Sequence, residues 1–130
     1  MNPNNLKVWW TIVAGGRDFS DYSLLESTLN SFFGTKSPEE LVIISGRASG
    51  ADTLGERYAY SKGLTVKPMP AEWNRYGNKA GPIRNMQMLE YATHVVCFWD
   101  GASRGTKHMI DSTLRAPFRR SLLVIPYQKV

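Results

Sequence analysis

The sequence has little of several residue types that mark a class of protein. Of its 130 residues one is cysteine and two are histidine, so no disulfide can form within the chain, and we expect no metal site. No apolar run approaches the roughly 18 residues that cross a bilayer. The polar residues 1–7 lack the layout of a signal peptide. We therefore expect a cytoplasmic protein with no cofactor and no membrane partner, in which Cys97 is an inert core thiol.

Three common catalytic and nucleotide-binding signatures are also absent. The sequence contains no Walker A spacing, no GxGxxG after its first predicted strand and no GxSxG turn. A P-loop, a standard dinucleotide fingerprint and a serine hydrolase elbow are therefore excluded.

The charge of the chain gives only a weak indication of its partner. The formal net charge is +5, which mildly favours an anionic ligand. The basic residues are scattered along the sequence, however, and form no continuous run. Charge alone thus makes a nucleic-acid partner unlikely and leaves a small anion open.

Short apolar runs alternate with amphipathic segments along the whole chain. This alternation predicts an α/β protein, with a parallel five-stranded sheet between two layers of helices, a three-layer sandwich. We expect one domain over residues 1–130, with its core at about 8–125. The predicted strands cover 7–14, 41–45, 65–69, 94–99 and 121–125, and the predicted helices cover 22–33, about 51–62, 83–91 and about 106–114, with 71–79 irregular.

Glycine-rich turns follow the first, second and fourth predicted strands. The carboxyl ends of parallel strands meet at one edge of the sheet, so these turns should converge there, beside free helix N-terminal amides. Such a place suits a phosphate or another anion. The candidate ligand-binding residues are Gly15, Gly16, Arg17, Asp18, Ser45, Gly46, Gly50, Asp52, Arg84, Asn85, Trp99, Gly101, Ser103, Gly105 and Thr106.

Four charged residues in this set have a structural explanation as well as a functional one. Arg17 offers a fork of donors for phosphate and Asp18 an acceptor for a ribose hydroxyl, although the two could simply pair with each other. Asp52 could cap a helix or contact the ligand. Arg84 follows Gly81-Pro82 in the first predicted turn of a helix, where a cation opposes the helix dipole. This unfavourable placement indicates a function for Arg84, with a surface salt bridge as the alternative.

Aromatic residues allow base stacking and self-association. Trp73 lies in the irregular stretch and Trp99 ends the fourth strand, and either ring could stack on a base. Trp99 could equally belong to the core. Trp9, Trp10 and Phe118 are compatible with a homo-oligomer, although at least one of the first two must face the core.

Four motifs in order resemble one known family. They are Gly15-Gly-Arg-Asp-Phe19, Ser45-Gly-Arg-Ala-Ser-Gly-Ala-Asp52, Gly81-Pro-Ile-Arg-Asn85 and Phe98-Trp-Asp-Gly-x-Ser-x-Gly-Thr106. Together they resemble the YspA-like branch of the SLOG superfamily, which groups the SMF/DprA proteins with the LOG nucleotide hydrolases. The resemblance implies a Rossmann-like fold that binds a nucleotide-like small molecule at its glycine turns, as a sensor or sequestering module.

The resemblance also implies two alternative functions. LOG enzymes remove the base from a nucleoside monophosphate with an Arg, which Arg84 matches, and a Glu, whose position is Met109 here. Methionine has no acidic group, so an N-glycosidase or phosphoribohydrolase would need another carboxylate. The catalytic candidates are accordingly Arg84, Asp18 and Asp100, with Asp52 and Glu72 as further carboxylates. Single-stranded nucleic-acid binding of the DprA type is the second alternative.

Overall fold

A parallel five-stranded sheet forms the centre of the molecule. The computed structural model describes residues 7–117 and 119–129. The strand order is β3-β2-β1-β4-β5, and every neighbouring pair is parallel. The predicted α/β, Rossmann-like fold is confirmed. The strands are β1 (Trp9–Gly15), β2 (Leu41–Ser45), β3 (Thr65–Pro68), β4 (His94–Trp99) and β5 (Ser121–Pro126).

Helices cover both faces of this sheet. One apolar cluster joins α1 and α2 to the sheet, and a second joins α4 and α5 to its other face. The residues that form the two clusters are buried. Each fully buried Leu, Ile or Phe among them contributes about 1.5–3 kcal/mol to the stability of the fold. The helices are α1 (Tyr22–Phe33), α2 (Ala51–Lys62), α3 (Trp73–Tyr76), α4 (Ala80–Tyr91) and α5 (Arg104–Arg115), with 3-10 turns at Pro38–Glu40 and Gly77–Lys79.

Local sequence explains where the predicted helices begin and end. The carboxylate of Asp21 accepts the amide of Leu24 at 3.0 Å and caps α1. Leu25, Leu29 and Phe33 then recur every four residues and are buried. Gly63, with φ of 70°, ends α2 in the left-handed conformation that glycine adopts freely.

Three helical segments begin at places that differ from the sequence-based expectation, and the strand bounds differ from it by at most two residues. Residues 73–76, expected to be irregular, form the short helix α3. Helix α4 begins at Ala80 rather than at residue 83, because Pro82 lies within its first turn, where no amide donor is needed. Helix α5 begins at Arg104 rather than at residue 106, since Ser103 caps it.

The paired tryptophans of β1 both pack inward, against opposite faces of the sheet. Trp9 stacks on His94 with ring centroids 3.9 Å apart, and Trp10 packs against the cluster on the α4 and α5 side. Both rings are partly buried and Phe118 lies outside the described residues, so a homo-oligomer stays a prediction. Cys97 is fully buried, and burial raises the pKa of its thiol to about 12. In the described part of the chain, no helix is long and apolar enough to span a membrane.

Two helical glycines test how closely α2 packs on the sheet. A Cβ at Gly55 would lie 2.9 Å from Val13 Cγ1, whereas a Cβ at Gly105 would meet no atom within 4 Å. Gly55→Ala should therefore lower the free energy of unfolding by about 1–3 kcal/mol. Gly105→Ala, the matched control, should leave it unchanged or raise it by up to ~1 kcal/mol. Urea denaturation measures both, and equal stabilities of the two variants would contradict this packing.

Candidate functional site

A cavity lies at the carboxyl edge of the sheet, between β1 and β4. From β1 the chain continues to β2 and β3 on one side of the sheet and then crosses to β4 and β5 on the other side, so the switch point lies between β1 and β4. Ligands of open α/β sheets bind at such a switch point. The cavity has a volume of about 600 Å³. The turns after β1 and β4 and the first turns of α4 and α5 contribute most of its lining. The predicted convergence of the first and third glycine turns is present here.

The structure brings most of the candidate residues to this cavity. Those that line it are Gly15, Gly16, Arg17, Asp18, Asp52, Arg84, Asn85, Asp100, Ser103, Gly105 and Thr106. Gly46 lines a neighbouring smaller cavity instead. The candidates outside both linings are Ser45, Gly50, Trp99 and Gly101.

The second glycine turn borders the cavity. Its polar groups form hydrogen bonds within the protein. The amide of Ala51 donates to Gly16 O at 3.2 Å, so the start of α2 is tied to the first glycine turn. The hydroxyl of Ser45 donates to Glu56 Oε2 at 2.6 Å. At Gly50, with φ of 77°, a Cβ would collide with the Gly16 carbonyl. This turn thus needs its glycine for close approach of backbone to backbone.

Trp99 has a structural role of the same kind. Its indole Nε1 donates to Ser103 O at 3.1 Å, and its ring packs against the core on the α4 and α5 side. This bond orders the turn that leads into α5, so the core reading of Trp99 agrees with its packing.

Arg84 reaches across the cavity to the second turn. Its Nη1 donates to Gly46 O at 2.6 Å, and its Nε donates to Asn85 Oδ1 at 3.1 Å. A Cβ at Gly46 would collide with this guanidinium, so only glycine leaves it room. Because α4 begins at Ala80, Arg84 is the fifth helical residue and not part of the first turn. The argument from the helix dipole is therefore wrong, although the residue does line the cavity.

Two carboxylates among the predicted site residues are buried, that of Asp100, whose side chain is 3% exposed, and that of Asp52. Asp52 is the second residue of α2, whose N-cap is Gly50, and its Oδ2 accepts the amide of Ala48 at 3.2 Å. The residue is 5% exposed. Burial raises the pKa of Asp52 to about 6, although the Ala48 amide and the charge of Arg84 act in the opposite direction. Asp52 can therefore hold a proton close to neutral pH.

Asp18 and Asp100 differ from Asp52 because donors surround them. The hydroxyl of Tyr127 donates to Asp18 Oδ1 at 2.6 Å, and this bond lowers the pKa of Asp18. The amides of Ser103 and Ala102 donate to Asp100 and lower its pKa. Both carboxylates are thus ionised at neutral pH and suit hydrogen bonds from hydroxyls better than proton donation.

The polar side chains at the start of α5 form one network. Ser103 Oγ lies 3.1 Å from Thr106 Oγ1 and accepts the Thr106 amide, which caps the helix. The side-chain amide nitrogen of Asn85, Nδ2, lies 3.3 Å from Gly105 O and 3.1 Å from His108 Nδ1. This network fixes the N-terminal end of α5, with its positive dipole end, against the cavity.

Several lining residues were not among the sequence candidates for binding. Trp73, whose ring the sequence analysis names only for stacking on a base, is 50% exposed. The Arg17 guanidinium lies 5.8 Å from its ring centroid. Lys129 Nζ lies 3.5 Å from Asp18 Oδ2 and 3.3 Å from Asp100 Oδ2. Met109 forms part of the floor and is 1% exposed. Lys129 follows the last strand outside any motif, so the sequence carried no signal for it.

The described residues include no cluster of three or more His, Cys, Asp or Glu side chains that could hold a metal ion. The cavity is lined by arginines, carboxylates, hydroxyls and helix N-termini.

The burial of Asp52 predicts a pH-dependent stability. Between its usual pKa of 3.8 and the folded value of about 6, the folded state binds the proton and the unfolded state does not. The contribution of Asp52 to the free energy of unfolding is therefore most favourable below its usual pKa. It falls, by up to ~3 kcal/mol in total, as the pH rises to about 6 and beyond. Asp52→Asn keeps an acceptor for Ala48 and removes this titration. Urea denaturation at pH 4 and pH 7.5 should show the variant gaining stability relative to the wild-type chain, and an unchanged difference would contradict a raised pKa.

Comparison with known proteins gives a family, a sequence relative and a structural neighbour. The model of the YspA, cpYpsA-related SLOG family matches residues 11–76. The Gene 61 protein of Mycobacterium phage D29 is 32% identical over 111 residues, which cover 81% of this chain and 88% of that protein. DNA processing protein A (DprA) from Streptococcus pneumoniae has a similar fold, with a TM-score of 0.55 and 17% identity over 94% of this chain. The match spans 60% of the DprA chain.

Proposed function

Because the chain belongs to the YspA, cpYpsA-related SLOG family, we propose that it binds a nucleotide or a nucleotide-derived small ligand and acts as a sensor or sequestering module. The observation that carries the proposal is the composition of the cavity of about 600 Å³ at the β1–β4 switch point. It combines three arginines (Arg17, Arg84 and Arg104), Lys129, the start of a helix, acceptor carboxylates and an apolar floor. Nucleotides present the complementary groups: phosphate, ribose hydroxyls and a flat base.

Arg17 and Arg84 are the proposed phosphate ligands. Arg17 is exposed and makes no salt bridge within the described residues, so its guanidinium is available. Arg84 is held in place by Gly46 O through Nη1, which leaves donors of its planar fork for a ligand. Burial lowers the pKa of Arg84, and the charge of Arg17 acts in the same direction, so the two cations repel each other. An anion between them removes this repulsion.

The remaining groups suit the nucleoside. Ser103 and Thr106 present hydroxyls, and the ionised Asp18 and Asp100 accept hydrogen bonds from ribose hydroxyls or a base amine. Met88 and Met109 are each 1% exposed and form an adaptable apolar floor. Trp73 offers a half-exposed ring for stacking.

A nucleotide N-glycosidase of the LOG type is the second candidate, and Asp52 is the observation that favours it. Its buried carboxylate lines the same cavity as Arg84 and has a pKa of about 6. A carboxylate of this kind could protonate a leaving base or stabilise the developing oxocarbenium charge. Met109, at the position that matches the LOG Glu, lies in the floor and can do neither. Binding without hydrolysis therefore remains the first proposal.

Arginine substitutions test the binding proposal. The purified chain is dialysed against a pool of mono-, di- and cyclic nucleotides and NAD-type compounds, and mass spectrometry reads both compartments. We expect selective retention of one compound, unchanged. Arg17→Ala and Arg84→Ala should each weaken it roughly tenfold to a hundredfold, because each removes charge-assisted bonds worth about 1.5–3 kcal/mol.

Arg115→Ala is the matched control, since this exposed arginine at the end of α5 lies outside both cavities. Free base and ribose phosphate in the dialysate would instead support the hydrolase, and Asp52→Asn should then abolish their release. Retention of single-stranded DNA alone, with a steep salt dependence, would replace both proposals by nucleic-acid binding.

A further inference from the structure

A second cavity adjoins the first on the side of the β2–α2 turn. It has a volume of about 330 Å³ and lies between residues 46–49 and residues 70–73. Gly46, Arg47 and Ser49 line only this second cavity. A cavity of this size accommodates a further nucleoside-sized group beside the ligand of the first.

The two cavities share one boundary. Arg17, Arg84, Trp73 and Ala48 line both of them. The boundary is therefore formed by two guanidinium groups and an indole ring, and the Arg17 guanidinium lies 5.8 Å from the centroid of that ring. Each cavity also has cations of its own, Arg104 and Lys129 in the first and Arg47 in the second, but Lys129 pairs with Asp18 and Asp100 and Arg47 pairs with Glu56. Arg17 and Arg84, at the shared boundary, make no ion pair within the described residues.

The second cavity is itself more cationic than the first. Three arginines line it, and no carboxylate does among the described residues. The third, Arg47, is half-exposed and is oriented by Glu56, with Nη1 3.1 Å from Oε1. Arg47 is also the one non-glycine residue with a positive φ, 62°, in the described part of the chain. Strained backbone of this kind persists at ligand-binding positions, where the surrounding structure holds it.

We propose that the ligand is a linked dinucleotide, with its connecting phosphates between Arg17 and Arg84 and one nucleoside in each cavity; this inference rests on the proposed nucleotide binding. A linked dinucleotide carries its negative charge in the middle and a flat, neutral group at each end. That pattern complements a cationic boundary between two cavities. A mononucleotide would fill the first cavity and reach Arg17 and Arg84, but it would leave the second cavity and its donors without a ligand.

Trp73 has a defined place in this arrangement. Its ring lines both cavities and is half-exposed, so a base from either nucleoside can stack on it without rearrangement of the core. In the second cavity, Arg47 supplies donors for the distal ribose or base.

The experiment compares ligands of one and two nucleosides. Isothermal titration calorimetry measures the four common nucleoside monophosphates and the four symmetrical dinucleotides that join two identical nucleosides through a 5′,5′-pyrophosphate. We expect at least one dinucleotide to bind the wild-type chain roughly tenfold or more tightly than its monophosphate. Ser49→Phe, which places a large side chain at the exposed wall of the second cavity, should remove this excess and leave monophosphate binding unchanged.

Two further variants complete the design. Ala71→Phe fills the second cavity from its other side and should behave like Ser49→Phe. Ser31→Phe is the matched control, because Ser31 is an exposed serine on α1, away from both cavities, and should leave both affinities unchanged.

Equal affinity for the two ligand types in the wild-type chain would overturn the inference and leave nucleotide binding standing. A dinucleotide excess that persists in both blocked variants would also overturn it, as would loss of monophosphate binding in a blocked variant that melts like the wild-type chain. Binding of neither ligand type would overturn nucleotide binding itself. A single-stranded oligonucleotide that binds more tightly than any dinucleotide would overturn the commitment to a small ligand.

Discussion

The hydrogen bond from Arg84 Nη1 to Gly46 O is the contact on which the proposed site depends. It joins α4, on one face of the sheet, to the β2–α2 turn, and it is 2.6 Å long. It also sets the position of a guanidinium that lines both cavities. The contact is available only because Gly46 has no side chain, since a Cβ there would collide with the guanidinium and lie 2.8 Å from Asp52 Oδ2. One glycine thus places a cation and a buried carboxylate side by side.

This arrangement holds unfavourable charge in the absence of a ligand. Arg17 and Arg84 repel each other, and the nearest buried carboxylate, Asp52, has its pKa raised to about 6 by burial. Asp52 therefore neutralises the arginines only partly at acidic pH. The proposed phosphate between Arg17 and Arg84 would supply negative charge there without desolvating a second carboxylate. Sites assembled in this way bind anions selectively, because the protein has already met the cost of gathering the cations.

The fold was more predictable than the site. Apolar runs such as 94–99 and helix signals such as Asp21 and Gly63 act locally, so the sequence alone placed the strands and most helices. The site depends on contacts between distant residues, which local patterns do not encode. Lys129 reaches Asp18 and Asp100 from outside any motif. The sequence points to Arg84 through the helix dipole, an argument that fails because α4 begins earlier than predicted. The position of Arg84 in the site comes instead from its hydrogen bond to Gly46, 38 positions away.

The protonation states of the site carboxylates favour binding over hydrolysis as the proposed function. Asp18 and Asp100 are stabilised in their ionised forms by Tyr127 and by backbone amides, so neither has a proton to give at neutral pH. Asp52 can hold one, but its Oδ2 accepts the Ala48 amide and thereby also maintains the turn. Releasing or taking up a proton there changes a structural contact at the same time. Proton transfer at Asp52 would therefore be coupled to a contact that holds the β2–α2 turn, which supports binding as the first proposal.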